Sequence, residues 1–208
     1  MKILLNSIIN KGIQANKLQH NSNLESHSQP MNDKLEISFK GIFYQLIDLD
    51  HKTVKGLLFD RDNIDTLKAN YADLSKSHFS FAKIKDMSAT GANLEDSDFT
   101  NAEITTFVAA EADLNKAKFI GAKIKDMSAT GANLEDSDFT NAEFDEIDLQ
   151  GAKLKGAIGL DTIKVNNTLT LSNYTVRPDG ENATEEWAKS YWKNIDPNKI
   201  TFNIFAGR

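Results

Sequence analysis

The sequence AKIKDMSATGANLEDSDFTNAE occupies residues 82–103 and occurs again, without a change, at residues 122–143. An identical copy forty residues away indicates an internal repeat, and a repeat determines the architecture of a chain. Within each copy the sequence divides into fives, namely AKIKD, MSATG, ANLED and SDFTN. The fives ADLSK, ADLNK and AKLKG lie before, between and after the copies. The first residue of a five is usually small and the middle residue is apolar.

A period of five fits neither an amphipathic helix nor a half-buried strand. Four sides of five residues would close a square coil of twenty, and residues twenty apart would then stack at strand spacing, about 4.8 Å. Columns of inward residues test this idea. The three clearest columns are Phe39, Phe59, Phe79, Phe99, Phe119 and Phe139; Tyr44, Ile64, Ile84, Ile104, Ile124 and Phe144; and Val54, Leu74, Leu94, Leu114, Leu134 and Leu154. The phenylalanine column takes half of the 12 phenylalanines in the chain.

The fourth side has alanine at the inward position, with a large residue two places earlier. The alanines are Ala69, Ala89, Ala109 and Ala129, and the large residues are Leu67, Met87, Phe107 and Met127. On the other sides the earlier position is mostly alanine or serine. Volume is therefore exchanged between two inward positions while the total is kept, as a close-packed interior requires.

The fives ADLSK, ANLED, ADLNK and SDFTN match the consensus A(D/N)LXX, so the chain resembles the pentapeptide-repeat family over residues 72–156. The resemblance implies an all-β fold, a right-handed quadrilateral β-helix. The columns extend the frame back to about Ile37, although Ile37, Ile42 and Ile47 replace the small residue, so we expect an irregular first coil. The β-helix is predicted over residues 37–160, with about six coils and a length of roughly 29 Å.

Residues 1–36 are predicted to form a flexible leader. The apolar part of this segment is too short to cross a membrane and lacks the cleavage site of a Sec signal peptide. The segment is also similar in composition to the leaders of proteins that bacterial injection machines export. We therefore expect either a location in the bacterial cytoplasm or export into a host cell without a Sec signal.

Residues 161–208 are predicted to cap the last coil, because a solenoid must cover its open end. Residues 168–176 alternate as a strand, residues 177–180 read as a turn, and residues 199–206 read as a second strand. Asn182 and Glu185 form a capping box for a helix that continues to about Asn194. Its aromatic residues, Trp187, Tyr191 and Trp192, need burial against the coil, a second copy of the chain or a foreign partner.

Charge alternates along the outward columns of the predicted rod. One column reads Lys83, Glu103, Lys123 and Glu143, and another reads Asp98, Lys118 and Asp138. A copy displaced by twenty residues would have stacked like charges, whereas a displacement of forty preserves the alternation. Each exposed pair contributes at most about 1 kcal/mol, so these ladders favour the register more than they stabilise the fold.

The excess negative charge lies on the rod. The chain has a formal net charge of −6, and residues 37–156 contain 21 acidic and 14 basic residues, a net of −7. The densest patch is Glu143, Asp145, Glu146 and Asp148. It is either a binding surface for a basic partner or a solvated face. A basic groove for nucleic acid is not expected, so direct nucleic-acid binding is not predicted.

No catalytic, cofactor or metal site is predicted. The chain has no cysteine, and His20, His27, His51 and His78 are scattered without ligand spacing. Residues 136–147 resemble a calcium loop only faintly, because Asn141 and Ile147 replace its glycine and glutamate. Gly91, Gly121, Gly131 and Gly151 end their fives and are predicted to form corners.

The sequence predicts a non-enzymatic bacterial protein that binds an unidentified protein partner. The layout of leader, repeats and short tail is similar to that of pentapeptide-repeat virulence effectors delivered into host cells. The alternative is a DNA mimic that binds a topoisomerase such as gyrase, because some members of the family are acidic rods of that kind. A homodimer through the C-terminal segment is also considered, since some members dimerise there.

Overall fold

The computed structural model describes residues 14–15 and 43–205. Six strands of six residues each begin twenty residues apart and pair in parallel with a register of twenty. These strands are β2 (Phe43–Asp48), β3 (Asn63–Lys68), β4 (Lys83–Ser88), β5 (Glu103–Val108), β6 (Lys123–Ser128) and β7 (Glu143–Asp148). The strand of each coil thus lies directly on the strand of the coil before it.

Each coil has four sides. The six-residue strand covers two of them, and the other two are joined to the next coil by single parallel bridges such as Asp73 to Asn93 and His78 to Asp98. Turns separate these sides, and from His51 to Gly156 the third residue of each such turn has a positive φ, as type II turns require. The predicted fold class, a quadrilateral β-helix of about six coils with a small segment of helix and strand after it, is confirmed.

Aromatic rings run through the core as a continuous stack. The rings of Phe59, Phe79, Phe99, Phe119 and Phe139 are buried, and neighbouring centroids lie 4.7 to 5.3 Å apart. Phe39, the first member of the predicted column, lies outside the described residues. On the alanine side, Phe107 is buried beside Phe99 with 5.4 Å between the ring centroids. The predicted exchange of volume between the two inward positions is therefore present in the structure.

The aspartate or asparagine of the repeat holds the corner that follows it. In each case its Oδ1 accepts a hydrogen bond from the backbone N–H two residues later, which is the contact of an Asx turn. The pairs are Asp73 to Ser75, Asn93 to Glu95, Asp113 to Asn115 and Asn133 to Glu135, at 3.0 to 3.3 Å. This contact explains why the second residue of the five is acidic or an amide.

The twenty-residue frame ends at Gly159. Its φ is +72°, and a Cβ added there would lie 2.3 Å from the backbone nitrogen of Thr140, so no larger residue fits without moving the main chain. Leu160 is buried in place of the next phenylalanine. Beyond this point the pairing of β7 with β8 (Lys164–Ser172) shifts by one and then two residues.

Two predictions about the C-terminal strands need correction. The strand predicted at 168–176 is β8, which begins and ends four residues earlier because it continues the side of β7 and stops where the coil turns at Ser172 and Thr175. The last predicted strand is shorter than residues 199–206. It is β9 (Ile200–Asn203), which pairs in parallel with β8.

The predicted helix is also shorter than expected. Helix α1 spans Glu185–Tyr191, and Thr184 caps its N-terminus by accepting a hydrogen bond from the N–H of Trp187. Asn182 is not the cap, because it bridges to Val176 as an antiparallel partner. The helix ends at Trp192, whose buried ring fixes the chain there, and a short 3-10 helix at Pro197–Lys199 leads into β9.

Most of the predicted leader, residues 1–36, lies outside the described residues, and so does the start of the first coil at Ile37. The exception is β1 (Gln14–Ala15), which pairs antiparallel with β2 through Asp48 and Ile47. Strand β1 is thus the first strand of a nine-stranded sheet that ends at β9. Within the described part of the chain, no helix is long and apolar enough to cross a membrane.

Candidate functional site

The strand side of the rod presents two neighbouring faces. The first three residues of β3 to β7 line one groove, and the last three residues of β5, β6 and β7 line another. Each strand therefore turns a corner between its third and fourth residues. We call the first surface the lysine face, made of the outward residues at the first and third strand positions, and the second the acidic face, made of those at the fourth and sixth positions.

The lysine face is a shallow groove of about 600 Å³. The two identical copies contribute Lys83 and Lys85 from one coil and Lys123 and Lys125 from another, and all four side chains are exposed. Glu103 lies between the two lysine pairs. The strand register places Lys83, Glu103, Lys123 and Glu143 in one column, as predicted. Within the described residues, one ion pair forms in this column, from Lys83 Nζ to Glu103 Oε2 at 3.1 Å.

The acidic face is a smaller groove of about 280 Å³. Its carboxylates are Asp126, Glu146 and Asp148, and hydroxyl groups of Thr106, Ser128, Thr168 and Thr170 lie among them. Asp126 is the direct strand partner of Glu146, so two like charges face each other across neighbouring strands. Such a pair destabilises a sheet. The sign alternation of the other columns is therefore broken at this point.

The predicted acidic patch divides between the two faces. All four residues lie on β7, but Glu143 and Asp145 belong to the lysine face while Glu146 and Asp148 belong to the acidic face. Phe144 and Ile147 point inward and are buried.

Two of these carboxylates are held by hydrogen bonds. Asp145 accepts one from the amide of Asn166 at 2.8 Å, and Asp148 accepts one from the N–H of Gln150 at 2.9 Å. Glu146 is the exposed member of the four.

The predicted aromatic residues pack together over the end of the rod. Trp192 is fully buried, and its ring lies edge-on to the rings of Trp187 and Tyr191 at 5.1 and 5.2 Å. Trp187 is half-buried beneath the guanidinium of Arg177, 5.6 Å from the ring centroid. Burial, and then the charge of Asp161, raise the pKa of the half-buried Tyr191. Trp192 therefore packs inside the cap, whereas Trp187 and Tyr191 keep an exposed edge.

Asp62 is a buried acid that the sequence analysis did not single out. It is 1% exposed and stands where the following coils have Ala82, Ala102, Ala122 and Ala142. Its Oδ1 has no hydrogen-bond partner among residues 14–15 and 43–205. Burial, and then the charge of Asp60, raise the pKa of Asp62 to about 7, and burial and the charge of Asp62 raise the pKa of Tyr44. The sequence could have indicated Asp62, because it is an acid at the first position of a five, where the following coils have a small residue.

The described histidines do not form a site. His51 stacks on the ring of Tyr71 at 5.3 Å, and His78 is partly buried on another side of the rod. His20 and His27 lie outside the described residues. Across residues 14–15 and 43–205, no group of three His, Cys, Asp or Glu side chains could hold a metal ion. In the segment that faintly resembles a calcium loop, Asp138 accepts hydrogen bonds from Thr140 and so holds a corner.

Comparison with solved structures identifies repeat proteins of low sequence identity. HetL, a pentapeptide-repeat protein involved in heterocyst differentiation regulation in the cyanobacterium Nostoc, is 14% identical, with a TM-score of 0.27, over 72% of this chain and 86% of that chain. Two trypsin-treated forms of QnrB1, a plasmid-mediated fluoroquinolone resistance protein, are 13% and 12% identical, with TM-scores of 0.23 and 0.24. Both alignments cover 81% of this chain and 87% or 86% of the QnrB1 chain.

A search of curated proteins found no relative. Residues 72–105 and 112–157 match the family model described as pentapeptide repeats, in eight copies. These matched segments cover β4, β6, β7 and the first three residues of β5, and the gap between them holds the end of β5 and the corner at Glu111. By these repeats and by the coil that they form, residues 72–157 of the chain belong to the pentapeptide-repeat family.

Proposed function

We propose that this chain is a non-enzymatic scaffold that binds a basic protein segment through its acidic face. The observation that carries the proposal is the stack of Asp126 on Glu146. Elsewhere the rod places opposite charges in neighbouring coils, as at Lys83 and Glu103. Like charges across neighbouring strands destabilise a sheet, so this stack lowers the stability of the isolated rod. A cationic partner would remove the repulsion on binding.

The chemistry of the groove favours arginine in that partner. Asp126 and Glu146 lie one coil apart, about 4.8 Å at strand spacing, so a planar guanidinium can donate to both carboxylates. The hydroxyl groups of Thr106, Thr168 and Thr170 can bond the remaining donors of the segment. The expected partner is an extended arginine-rich segment of a protein.

A labelled arginine-rich peptide tests the proposal by fluorescence anisotropy. The double variant Asp126→Asn with Glu146→Gln should weaken binding by about tenfold or more, because it removes both charged acceptors. The control is Glu95→Gln with Glu135→Gln, which removes the same charge from another side of the rod. If both variants weaken binding equally, the peptide responds to net charge alone and the proposal fails.

The DNA mimic that binds a topoisomerase such as gyrase is the second candidate. One observation favours it, since the outward residues of the acidic face and of the same positions on β4, from Asp86 to Asp148, include no lysine or arginine. Charge density opposes it. Asp86, Asp126, Glu146 and Asp148 span about 14 Å, a length over which DNA presents about eight charges.

A gyrase supercoiling assay separates these two candidates. Inhibition by the wild type that is lost in the Asp126→Asn, Glu146→Gln variant would favour the mimic. The absence of inhibition by the wild type would remove it.

We also propose that the chain forms a homodimer through its C-terminal segment. Strand β9 is the last strand of the sheet, and Ile204, which follows it, is 77% exposed. The rings of Tyr174 and Phe205 stack beside it with 6.1 Å between centroids. We expect Ile204→Asp to convert a dimer into a monomer by light scattering. An unchanged mass would argue against this interface.

We also propose that the protein acts in the bacterial cytoplasm or, as a virulence effector, inside a host cell that it enters without a Sec signal. The support for export is the composition of residues 1–36. A fusion of those residues to a reporter that lacks an export signal tests the alternative. A reporter that stays in the bacterium would leave the cytoplasm as the site of action.

A further inference from the structure

Three lysines on the lysine face form no ion pair with the described residues. Lys85, Lys123 and Lys125 are exposed, and the ion pair of this face joins Lys83 to Glu103 instead. Even that pair leaves both side chains more than half exposed, at 62% and 55%. The face therefore presents cations that the described residues do not neutralise, together with carboxylates at each end.

The charges follow two parallel ridges on either side of the groove. The first ridge reads Asn63, Lys83, Glu103, Lys123, Glu143 and Lys164, and the second reads Asp65, Lys85, Thr105, Lys125, Asp145 and Asn166. Successive members lie about 4.8 Å apart, since they belong to successive strands. The order of signs along each ridge decides which second surface can lie against it.

We propose that the lysine face binds a second copy of this chain with the two rods antiparallel. The two-fold axis lies in the interface, perpendicular to the rods and between β5 and β6. It reverses the order of the coils, so each ridge faces the same ridge of the second copy. Lys83 then faces Glu143 of the second copy, and Lys123 faces Glu103. On the other ridge Lys85 faces Asp145. Each pair occurs twice by symmetry, and no like charges face each other.

The parallel arrangement is disfavoured by the same charges. A two-fold axis along the rod places the first ridge of one copy against the second ridge of the other. Lys83 would then face Lys85, Lys123 would face Lys125, and Glu143 would face Asp145. Like charges placed against each other exclude a pairing more strongly than exposed opposite charges favour one. The sign pattern thus selects the antiparallel orientation.

The size of the surface sets the strength of the contact. The strip is roughly 29 Å long and less than one strand wide, so it buries less than the ~1,000 Å² of a stable interface. Exposed ion pairs are also screened by salt. The association is therefore weak, reversible and favoured at low ionic strength.

Sedimentation equilibrium at about 0.01 M and about 1 M salt provides the first test, because the Debye length falls about tenfold between them. The wild type should form larger species at low salt than at high salt, where the C-terminal dimer alone remains. Lys83→Glu should weaken association at low salt by about tenfold, since two attractive contacts become repulsive. The control Lys118→Glu makes the same change of net charge on another side of the rod and should associate like the wild type.

The double reversal Lys83→Glu with Glu143→Lys separates the interface from the ladder within one rod. Inside one rod, the glutamate at position 83 lies next to Glu103 and the lysine at position 143 lies next to Lys123. The double variant therefore has more like-charge neighbours in its ladder than either single variant. Across the proposed interface it restores two opposite charges. Recovery of association in the double variant is expected, and its failure to recover would overturn the proposal.

Orientation is tested by crosslinking, because the chain has no cysteine. Thr105 lies next to the two-fold axis, so Thr105→Cys should crosslink to its copy through a short bifunctional thiol reagent. Asp65→Cys lies on the same face but two and a half coils from the axis, so it is about 24 Å from its copy in the antiparallel contact, where it should not crosslink, and beside its copy in a parallel one. A C-terminal dimer brings neither residue close to its copy. Equal crosslinking of both variants, or crosslinking of neither, would contradict the antiparallel contact.

Discussion

The indole N–H of Trp192 donates a hydrogen bond to the carbonyl oxygen of Leu160 at 2.7 Å. This contact joins the end of helix α1 to the loop that leaves the last regular coil, and both residues are fully buried. The amide of Asn194 makes a second such bond to the carbonyl of Ile163, also at 2.7 Å. The C-terminal segment is thus attached to the rod through two backbone carbonyls of the segment between Gly159 and β8.

The first prediction follows from this attachment. Trp192→Ala should lower the free energy of unfolding by about 3–5 kcal/mol, because it opens a cavity and removes the partner of a buried carbonyl. Trp187→Ala should cost less, since that ring is only half-buried. Urea unfolding followed by circular dichroism measures both. Equal and small losses would show that the cap does not contribute to stability.

The second prediction concerns the glycine where the frame ends. Gly159→Ala should destabilise the protein more than Gly131→Ala, although both glycines have a φ near +70°. At Gly159 the new Cβ meets the backbone of Thr140 at 2.3 Å, whereas at Gly131 the nearest atom is a side-chain carbon of Glu111 at 3.6 Å. Both substitutions place alanine at a positive φ at a similar cost. The difference between their melting temperatures therefore measures the clash with Thr140. Equal melting temperatures would contradict the packing at Thr140.

The third prediction concerns the pH dependence that Asp62 introduces. Its pKa is raised from 3.8 to about 7 in the folded protein, so folding favours the protonated form. Its contribution to stability is therefore greatest below pH 3.8, falls as the pH rises to about 7, and is constant above that. Four later coils have alanine at this position. The substitution Asp62→Ala should therefore remove the pH dependence and stabilise the protein at about pH 8 by roughly 1–3 kcal/mol.

Asp60→Asn serves as the comparison for Asp62. It removes the neighbouring charge that raises the pKa of Asp62 while it keeps the oxygen that accepts a hydrogen bond from Ser80. The pH range over which stability falls should then move downward. Identical pH profiles for the wild type and Asp62→Ala would show that Asp62 is not the titrating group.

The fourth prediction uses the repeat length. Deletion of residues 82–121 should leave a folded rod of four coils, because Phe81 would then precede Ala122 in the position that Ala82 holds now. Deletion of residues 82–101 should also fold, but it places Lys76 against Lys116 and Asp73 against Asp113. Its stability should therefore fall further at low salt than at high salt. Loss of the β signal in circular dichroism for the longer deletion would contradict the independence of the coils.

The inward columns and the register could be predicted because both depend on spacing alone. Phe79 and Phe99 are twenty residues apart, and their rings stack with 4.7 Å between centroids. The corners could be predicted only where glycine occupies them. Eleven other residues have a φ between 55° and 64° in the described chain, including the bulky Tyr71 and Phe81. Backbone hydrogen bonds to the next coil hold these corners whatever the residue type. One example is the bond from the N–H of Tyr71 to the carbonyl oxygen of Thr90, at 2.9 Å.

The C-terminal segment and the candidate site were predicted less well. Residues 168–176 alternate as a strand, but the preceding coil decides where β8 begins because β8 pairs with β7. The acidic residues of β7 were predicted as one patch, whereas the strand bends between Asp145 and Glu146 and separates them. A corner inside a strand leaves no signal in the sequence, because neither residue needs a special φ.

The acidic face is proposed to keep the Asp126–Glu146 stack for a partner, although this stack lowers the free energy of unfolding of the rod. The most direct measurement is the free energy of unfolding of the Asp126→Asn, Glu146→Gln variant at low salt, which needs no knowledge of the partner. Relief of the like-charge stack should make this variant about 0.2–1 kcal/mol more stable than the wild type, with a smaller gain at high salt. A variant that is equally stable or less stable at low salt would contradict the claim.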